Sequence, residues 1–318
     1  MNEVNTVHHS DWLNNNLPDK SAQLIIADPP YFEVKGDFDF VWSSFDDYLK
    51  DVEKWAVECK RVLADNGTLF WFGNSKNIAY SQVIFDRYFR LINNLVWEKA
   101  ERDGLFGSTG SEQLRSFPNS TERILMYSNE IDFTGLEVIK LDMDNFTQLR
   151  QYFKEFQEDT GLTLHEINRI MGDRRAEHAF YWGSTQWDLP TGETYKKLLG
   201  LPQNNGFLRR EYEDLRREYE DLRRYFNNFN QSTEVLKVRF VPSEYDHDTV
   251  KPEKLARILI LTCSRPNDLV LIPFAGSGTE CAMSAKEGRW FIGYDVEKKY
   301  VDMSNKRVQT ILRQPALL

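Results

Sequence analysis

Residues 268–295 run as strand, glycine loop, helix, strand and acid, and this order narrows the fold more than any other stretch. The apolar run 268–272 (DLVLI) predicts a short buried strand. It is followed by Phe274-Ala275-Gly276-Ser277-Gly278, whose two glycines let the backbone turn tightly and approach a ligand at a helix N-terminus. Residues 279–286 predict that helix and 290–294 (WFIGY) a second strand. Asp295 closes the strand, where its carboxylate can hold two ribose hydroxyls. Such a unit belongs to an α/β sheet that binds its ligand at the carboxyl edge. A dinucleotide site wants a third glycine three residues after the second, and Cys281 stands there. No Gly-Lys-Ser/Thr follows either, which excludes a phosphate-gripping loop. A ligand with a ribose but no pyrophosphate fits, and S-adenosylmethionine is one. Phe274, Ala275, Gly276, Ser277, Gly278, Thr279 and Asp295 are therefore the candidate cofactor-binding residues.

The same alternation opens the chain. Residues 22–27 (AQLIIA) predict a buried strand that runs straight into Asp28-Pro29-Pro30-Tyr31. Apolar residues then recur at helical spacing from Phe45 to Leu63, with Asn66-Gly67 as the expected stop. Residues 68–72 and 124–127 predict further buried strands, and 85–97 a passage from helix to strand. At the other end, 251–262 predict a helix with proline in its first turn, and 297–312 a closing helix. One doubly wound, Rossmann-like α/β domain is thus expected from residues 1–128 and 245–318 together.

The middle, 129–244, differs: it is polar and irregular, and is expected as an inserted, mainly helical region. A helix over 149–156 and another opened by Thr163-Leu164-His165-Glu166 suggest a helix-turn-helix-like unit. A seven-residue repeat beginning Leu208-Arg209-Arg210-Glu211 returns from Leu215 and starts again at Leu222. Its apolar stripe predicts a helix over 208–226 that packs on its own domain, with an intermolecular contact, hence a homodimer, as the alternative.

A chain of 318 residues can bury one large core, or one core with an inserted subdomain. The 3 cysteines, Cys59, Cys263 and Cys281, are far apart and lack metal-ligand spacing, as do the histidines. No metal site or disulfide framework is expected, and a reducing compartment is. Apolar runs fall far short of the roughly 20 residues that span a bilayer. Met1 opens into polar sequence, so the expected location is the cytoplasm, with no membrane partner. The net charge of −9 excludes a protein that coats nucleic acid nonspecifically, but not one with a local basic cleft. Arg169, Arg174, Arg175, Lys196, Lys197, Arg209 and Arg210, interleaved with Phe180, Tyr181, Trp182 and Trp187, could supply it. The glycine- and serine-rich stretch 102–119 is a candidate closing loop.

Asp-Pro-Pro-Tyr at a strand end has a chemical reading. The prolines stiffen the chain and turn carbonyl oxygens outward as fixed acceptors. The exocyclic amine of a nucleobase is a poor nucleophile, because its lone pair is delocalised into the ring. The Asp28 carboxylate and the Pro29 carbonyl, accepting its two N–H bonds, would favour a pyramidal and nucleophilic nitrogen. Tyr31 could stack on the base. Asp28, Pro29, Pro30 and Tyr31 are the candidate catalytic residues.

With both motifs in hand, the chain resembles the DNA amino-methyltransferases of bacteria and phages, in the order with the catalytic motif ahead of the target-recognition region and the cofactor loop after it. The resemblance covers roughly 5–128 and 245–312. The family loop usually reads D-P-F-x-G-S-G-T; here Ile272 replaces its aspartate. His247 and Lys251-Pro252 match an upstream family stretch, and the resemblance adds Lys251 and Asp11 to the cofactor-binding residues. It implies adenine N6 as the methylated atom, since relatives with Asp at the first catalytic position mostly act there, and it implies a target base flipped out of double-stranded DNA. A cognate restriction endonuclease is a further partner it admits. Methylation at cytosine C5 is excluded, because no cysteine follows a proline. Cytosine N4, RNA or protein-amide methylation, and a DNA-binding regulator without turnover stand as alternatives.

Overall fold

The computed structural model describes residues 3–34, 39–99, 120–129, 146–228 (except 173, 183 and 185), 233–239 and 250–313. The stretch 102–119 and His247 lie outside the described residues. The chain divides into two units, Met1–Asp132 with Tyr225–Leu318, and Phe133–Arg224.

Among the described residues the first unit is built on one sheet of eight strands: β1 (Thr6–His9), β2 (Ala22–Ala27), β3 (Leu63–Gly73), β4 (Arg90–Glu98), β5 (Thr121–Ser128), β6 (Val235–Lys237), β7 (Leu269–Ile272) and β8 (Trp290–Asp295). Their spatial order is β1-β8-β7-β2-β3-β5-β4-β6. All neighbours pair in parallel except β5, which is antiparallel to both β3 and β4. The first and last parts of the chain are interleaved, with β7 seated between β8 and β2. β6 falls in the stretch expected to be irregular, yet it pairs with β4 through Val96, Trp97 and Glu98.

Both faces of the sheet are covered, as near-continuous apolar strands demand. One face carries α1 (Phe45–Val62) and α2 (Ile78–Phe85). The other carries α7 (Glu253–Cys263), α8 (Thr279–Lys286) and α9 (Lys298–Leu312). α1 shows why the sequence was readable here. Ser44 caps it by accepting from the Asp47 N–H, Asp46 and Asp47 favour its N-terminus, and Lys60 and Arg61 its C-terminus. Its buried stripe is Tyr48, Val52, Trp55, Ala56, Cys59 and Val62. Asn66-Gly67 is not the helix stop. α1 ends at Val62, β3 starts at once with Leu63 against Ala22, and the register jumps before Thr68 meets Leu24. Gly67 sits inside that irregularity, where a Cβ would come within 2.6 Å of the Leu63 side chain.

The second unit is helical: α3 (Thr147–Thr160), α4 (Leu164–Met171), α5 (Gly192–Leu199) and α6 (Tyr212–Leu222). α3 stops at Gly161 in the left-handed conformation (φ 67°), and Thr163 with Glu166 forms a reciprocal capping box on α4. The core contains Phe153, Phe156, Ile167, Tyr195, Leu198 and Leu215. Phe180 and Trp187, two of the aromatics considered for nucleic-acid contact, are buried in that core, and the Trp187 indole donates to the Ala179 carbonyl at 3.0 Å.

The heptad helix is shorter than expected. Leu208 is pinned outside it: its carbonyl, which a helix from 208 would bond to the Tyr212 N–H, accepts from Asn204 Nδ2 at 3.3 Å, the Arg210 carbonyl accepts from the Tyr195 hydroxyl at 2.8 Å, and Glu211 is extended (ψ 138°). Those side chains take the hydrogen bonds a helix would need. At the far end Arg223 is extended (ψ 138°). The stripe Tyr212, Leu215, Tyr219 and Leu222 packs on the unit's own core. Among the described residues no helix is long and apolar enough to cross a membrane.

Candidate active site

Parallel order puts the carboxyl ends of β8, β7, β2 and β3 at one edge of the sheet. That edge therefore carries Asp295 (end of β8), the glycine loop (after β7) and Asp28 (after β2). The antiparallel β5 begins where the others end, so Glu122 joins the same edge, opposite Trp97 of β4.

The Asp28 carboxylate is engaged at both oxygens. Tyr31 donates its hydroxyl to Oδ1 at 2.6 Å, and the Lys251 ammonium meets Oδ2 at 2.5 Å. Glu122 lies behind both donors: its Oε2 is 3.5 Å from the Tyr31 hydroxyl and 3.5 Å from Lys251 Nζ. Its other oxygen, Oε1, pairs with Lys99. The Lys251 ammonium also lies over the rings of Tyr31 (5.7 Å) and Phe72 (5.3 Å). Tyr31 is thus aimed at two carboxylates. Its backbone N–H is anchored as well, donating to the buried Asp39 carboxylate at 2.5 Å. Pro29 is buried and Pro30 partly exposed.

The electrostatics follow from burial and pairing. Burial, then the charges of Asp28 and Glu122, push the Tyr31 phenol far up, so it remains a donor. Burial disfavours the Lys251 charge, but Asp28 and Glu122 outweigh it and raise its pKa. Burial likewise opposes the Glu122 charge, and Lys251 and Lys99 outweigh it and lower its pKa. All three hold their usual protonation states across neutral pH.

Glu280, in the first turn of α8, does not. Burial first, and the Asp28 charge second, push its carboxyl up to about 7. Below the ordinary glutamate value of 4.5 the group is neutral in both folded and unfolded chains and costs nothing. As pH rises the unfolded chain releases its proton first, so the fold loses stability up to about pH 7. The gap corresponds to about 3 kcal/mol. Urea unfolding of Glu280→Gln across this window is expected to lose less stability than the parent; parallel curves would remove Glu280 as the source.

The glycine loop is held from three sides. The Gly276 N–H donates to Asp295 Oδ2 at 2.8 Å, and the Ala275 N–H to the Tyr294 carbonyl at 2.8 Å. From α9, the Ser304 hydroxyl donates to the Gly276 carbonyl (2.8 Å), and Arg307 to the Ser277 carbonyl (3.2 Å) and the Thr279 hydroxyl (2.8 Å). Thr279 in turn donates to the Lys251 carbonyl at 3.1 Å, which ties the loop to the residue on Asp28. Gly276 and Gly278 have positive φ, 47° and 72°, as the turn requires. Phe274 is edge-on to Trp12, Trp55 and Trp71. The buried Trp12 indole N–H has no acceptor among the described residues. Ile272, in the family's aspartate position, is a buried core residue of β7.

Asp11 caps the turn after β1, accepting from the Leu13 N–H at 3.0 Å, and is exposed. Asp28, Tyr31 and Lys251 are brought together, and Asp295 with the loop; among the described residues no hydrogen bond joins Asp11 to either set. Sequence reasoning misses Glu122, Lys99 and Glu280. Glu122 is a charged residue at the mouth of an apolar strand, and that is the one signal that could have found it. The residues present fit a ligand with ribose hydroxyls and positive charge: Asp295 and Glu280 are carboxyls, and Lys251 and Arg307 are already paired, with Asp28 and with Glu253.

Residues 22–306 match the model of a family described as DNA methylase, of the N6/N4 methyltransferase class. Similar proteins include the Type II methyltransferase M.HinfI of Haemophilus influenzae, 26% identical over 98% of this chain and 70% of that protein. They include DNA adenine methyltransferase YhdJ of Escherichia coli K12, 27% identical over 96% of this chain and 83% of that protein. Among solved structures, the fold resembles the cytosine-N4-specific PvuII DNA methyltransferase (TM-score 0.53, 12% identity, 96% of this chain and 92% of that one). It also resembles TTHA0409 of Thermus thermophilus (TM-score 0.52, 17% identity, 97% and 95%).

Proposed function

The chain belongs to the N6/N4 DNA methylase family, and from that premise we propose that it moves a methyl group from S-adenosylmethionine to N6 of an adenine in double-stranded DNA. The observation that carries this reading is the Asp28 carboxylate at the carboxyl edge of β2, one strand from the glycine loop of β7. Adenine is favoured by aspartate at that position and by the adenine methyltransferase among the similar proteins.

S-adenosylmethionine, when bound, supplies a methyl group made electrophilic by its sulfonium. The chain's residues do the rest. Asp295 would hold the ribose hydroxyls, Phe274 would pack against the cofactor, and the loop from Ala275 to Thr279 would shape its cleft. The target nucleotide leaves the helix stack to reach the edge. Asp28 and the Pro29 carbonyl accept the amine's two N–H bonds and aim its lone pair at the methyl group; Asp28 then takes the proton that the methylated nitrogen must lose. Positioning and local electrostatics account for the rate.

The second unit reads the DNA sequence in this proposal, and α4 is its best-suited element. α4 exposes His165, Arg169 and Ile170, while its Glu166 is tied back to Thr163. α3 instead exposes Glu155, Glu158 and Asp159, which DNA repels. Arg169→Ala is expected to slow methylation at the preferred site roughly 5- to 100-fold, the size of one lost base contact, and to relax the preference. Mapping methylated sites on a plasmid checks this; an unchanged map and rate would take α4 out of recognition.

The reaction is tested by incubating the protein with labelled S-adenosylmethionine and unmethylated plasmid, then digesting to nucleosides. N6-methyladenine is the expected product. N4-methylcytosine would overturn the base, and unlabelled DNA would turn attention to RNA and protein substrates.

A further inference from the structure

Two donors, Tyr31 and Lys251, cap the oxygens of Asp28, yet a carboxylate so capped is poorly placed to accept the N–H bonds of an incoming amine. The amine is a neutral donor. Charge-assisted hydrogen bonds are roughly twice as strong as neutral ones, so it cannot displace an ammonium unaided. Lys251 does not escape by losing its proton, because the paired carboxylates hold it charged. Each oxygen keeps a second lone pair, but one already neutralised by a charged donor is a weaker acceptor, so Asp28 grips the amine best once Lys251 has moved to another acceptor.

One acceptor is in place for both donors. Glu122 Oε2 stands at 3.5 Å from Lys251 Nζ and at 3.5 Å from the Tyr31 hydroxyl, against 2.5 and 2.6 Å for their contacts with Asp28. A shift of under about an ångström would carry each of them across the gap. Lys99 occupies Oε1 and, with Lys251, keeps Glu122 ionised, leaving Oε2 for the exchange. Lys251 is nearly inaccessible, with 6% of its side chain exposed, so water is a poor substitute acceptor.

We propose that Glu122 is a positioning residue that draws Lys251 and Tyr31 off Asp28 when the target amine arrives, freeing the carboxylate to bind it. The inference rests on the amine-methylating role given to Asp28. Glu122 does not touch the substrate; it acts through the two donors. Before the base enters, the Asp28 pair keeps the buried charges compensated, and afterwards the Lys251–Glu122 pair does so.

The test uses the full-length enzyme and plasmid DNA. Glu122→Gln keeps the shape and removes the charge, and is expected to lower kcat by about 10- to 100-fold with little change in KM for DNA or cofactor, the scale of coupling between contacting residues. Glu122→Asp is expected to recover part of the loss. Adding Lys251→Met to Glu122→Gln removes the ion that would otherwise stay on Asp28, so the double variant is expected to turn over faster than Glu122→Gln alone. A merely structural glutamate predicts the reverse, a double variant slower than either single one. Should Glu122→Gln fold poorly, the comparison of Glu122→Asp with its Lys251→Met double decides the matter in the same way. Wild-type kcat in Glu122→Gln, or a slower double variant, overturns the exchange. Failure of the wild-type enzyme to methylate DNA would instead overturn the reaction on which it rests.

Discussion

Asp28→Asn is expected to lower methyl transfer by about 10³-fold, within the 10²–10⁴ range for losing a positioned proton acceptor, while cofactor affinity is unchanged. The carboxamide fills the same space and can still accept one hydrogen bond. It cannot take the proton that leaves the methylated nitrogen, and its NH2 group faces the amine with the wrong polarity. Asp28 lies one strand away from the loop that would hold the cofactor, and none of the loop's own hydrogen bonds passes through its side chain. Single-turnover transfer measured beside cofactor binding separates the two quantities. Near-parental turnover with intact binding would remove Asp28 from the chemistry.

Gly278→Ala should act on the other half of the site. The residue has φ 72°, and an added Cβ would come 2.7 Å from the Ser304 Cβ and 2.8 Å from its Cα. The second contact is with backbone, so α9 must shift. Left-handed strain of about 1–3 kcal/mol and overpacking of similar size combine to about 2–6 kcal/mol, a large share of a typical folding free energy. Ser304 also holds the Gly276 carbonyl, so the shift reaches the hydrogen bond between Gly276 and Asp295. A lower urea midpoint and cofactor affinity weakened by more than about 100-fold are expected together, as the strained loop loses its shape. Parental values of both would show that the close approach to Ser304 does not hold the loop.

The sheet was largely legible because its signals are local. The run 22–27 and the helix 279–286 match β2 and α8 residue for residue, since each is bounded by its own punctuation: Asp-Pro-Pro after one, and the glycine loop ahead of the other. The Asp-Pro-Pro-Tyr and glycine-loop motifs stand out for the same reason. What escaped needs partners distant in sequence. β1 is four residues of mixed polarity that become a strand because β8 offers an open edge. β6 is three residues that pair with β4 across the whole inserted unit. Glu122 escaped because its role depends on the reversed direction of β5, which no local pattern encodes. The heptad pattern overstates its helix, because its apolar spacing is helical while the bonds that occupy the Leu208 and Arg210 carbonyls come from Asn204 and Tyr195.

The interleaving of the sheet has a consequence for how the protein is made. β2 pairs with β3 on one side, and both emerge early from the ribosome, but its other neighbour is β7, more than two hundred residues later. Until then the nascent chain presents an unpaired apolar edge, the kind that invites pairing with other chains. Synthesis at about 5–20 residues per second leaves that edge open for tens of seconds at the slower rate. The inserted helical unit, with its own core, can fold during the wait, whereas the edge that carries Asp28, the glycine loop and Asp295 cannot assemble until β7 and β8 have been released.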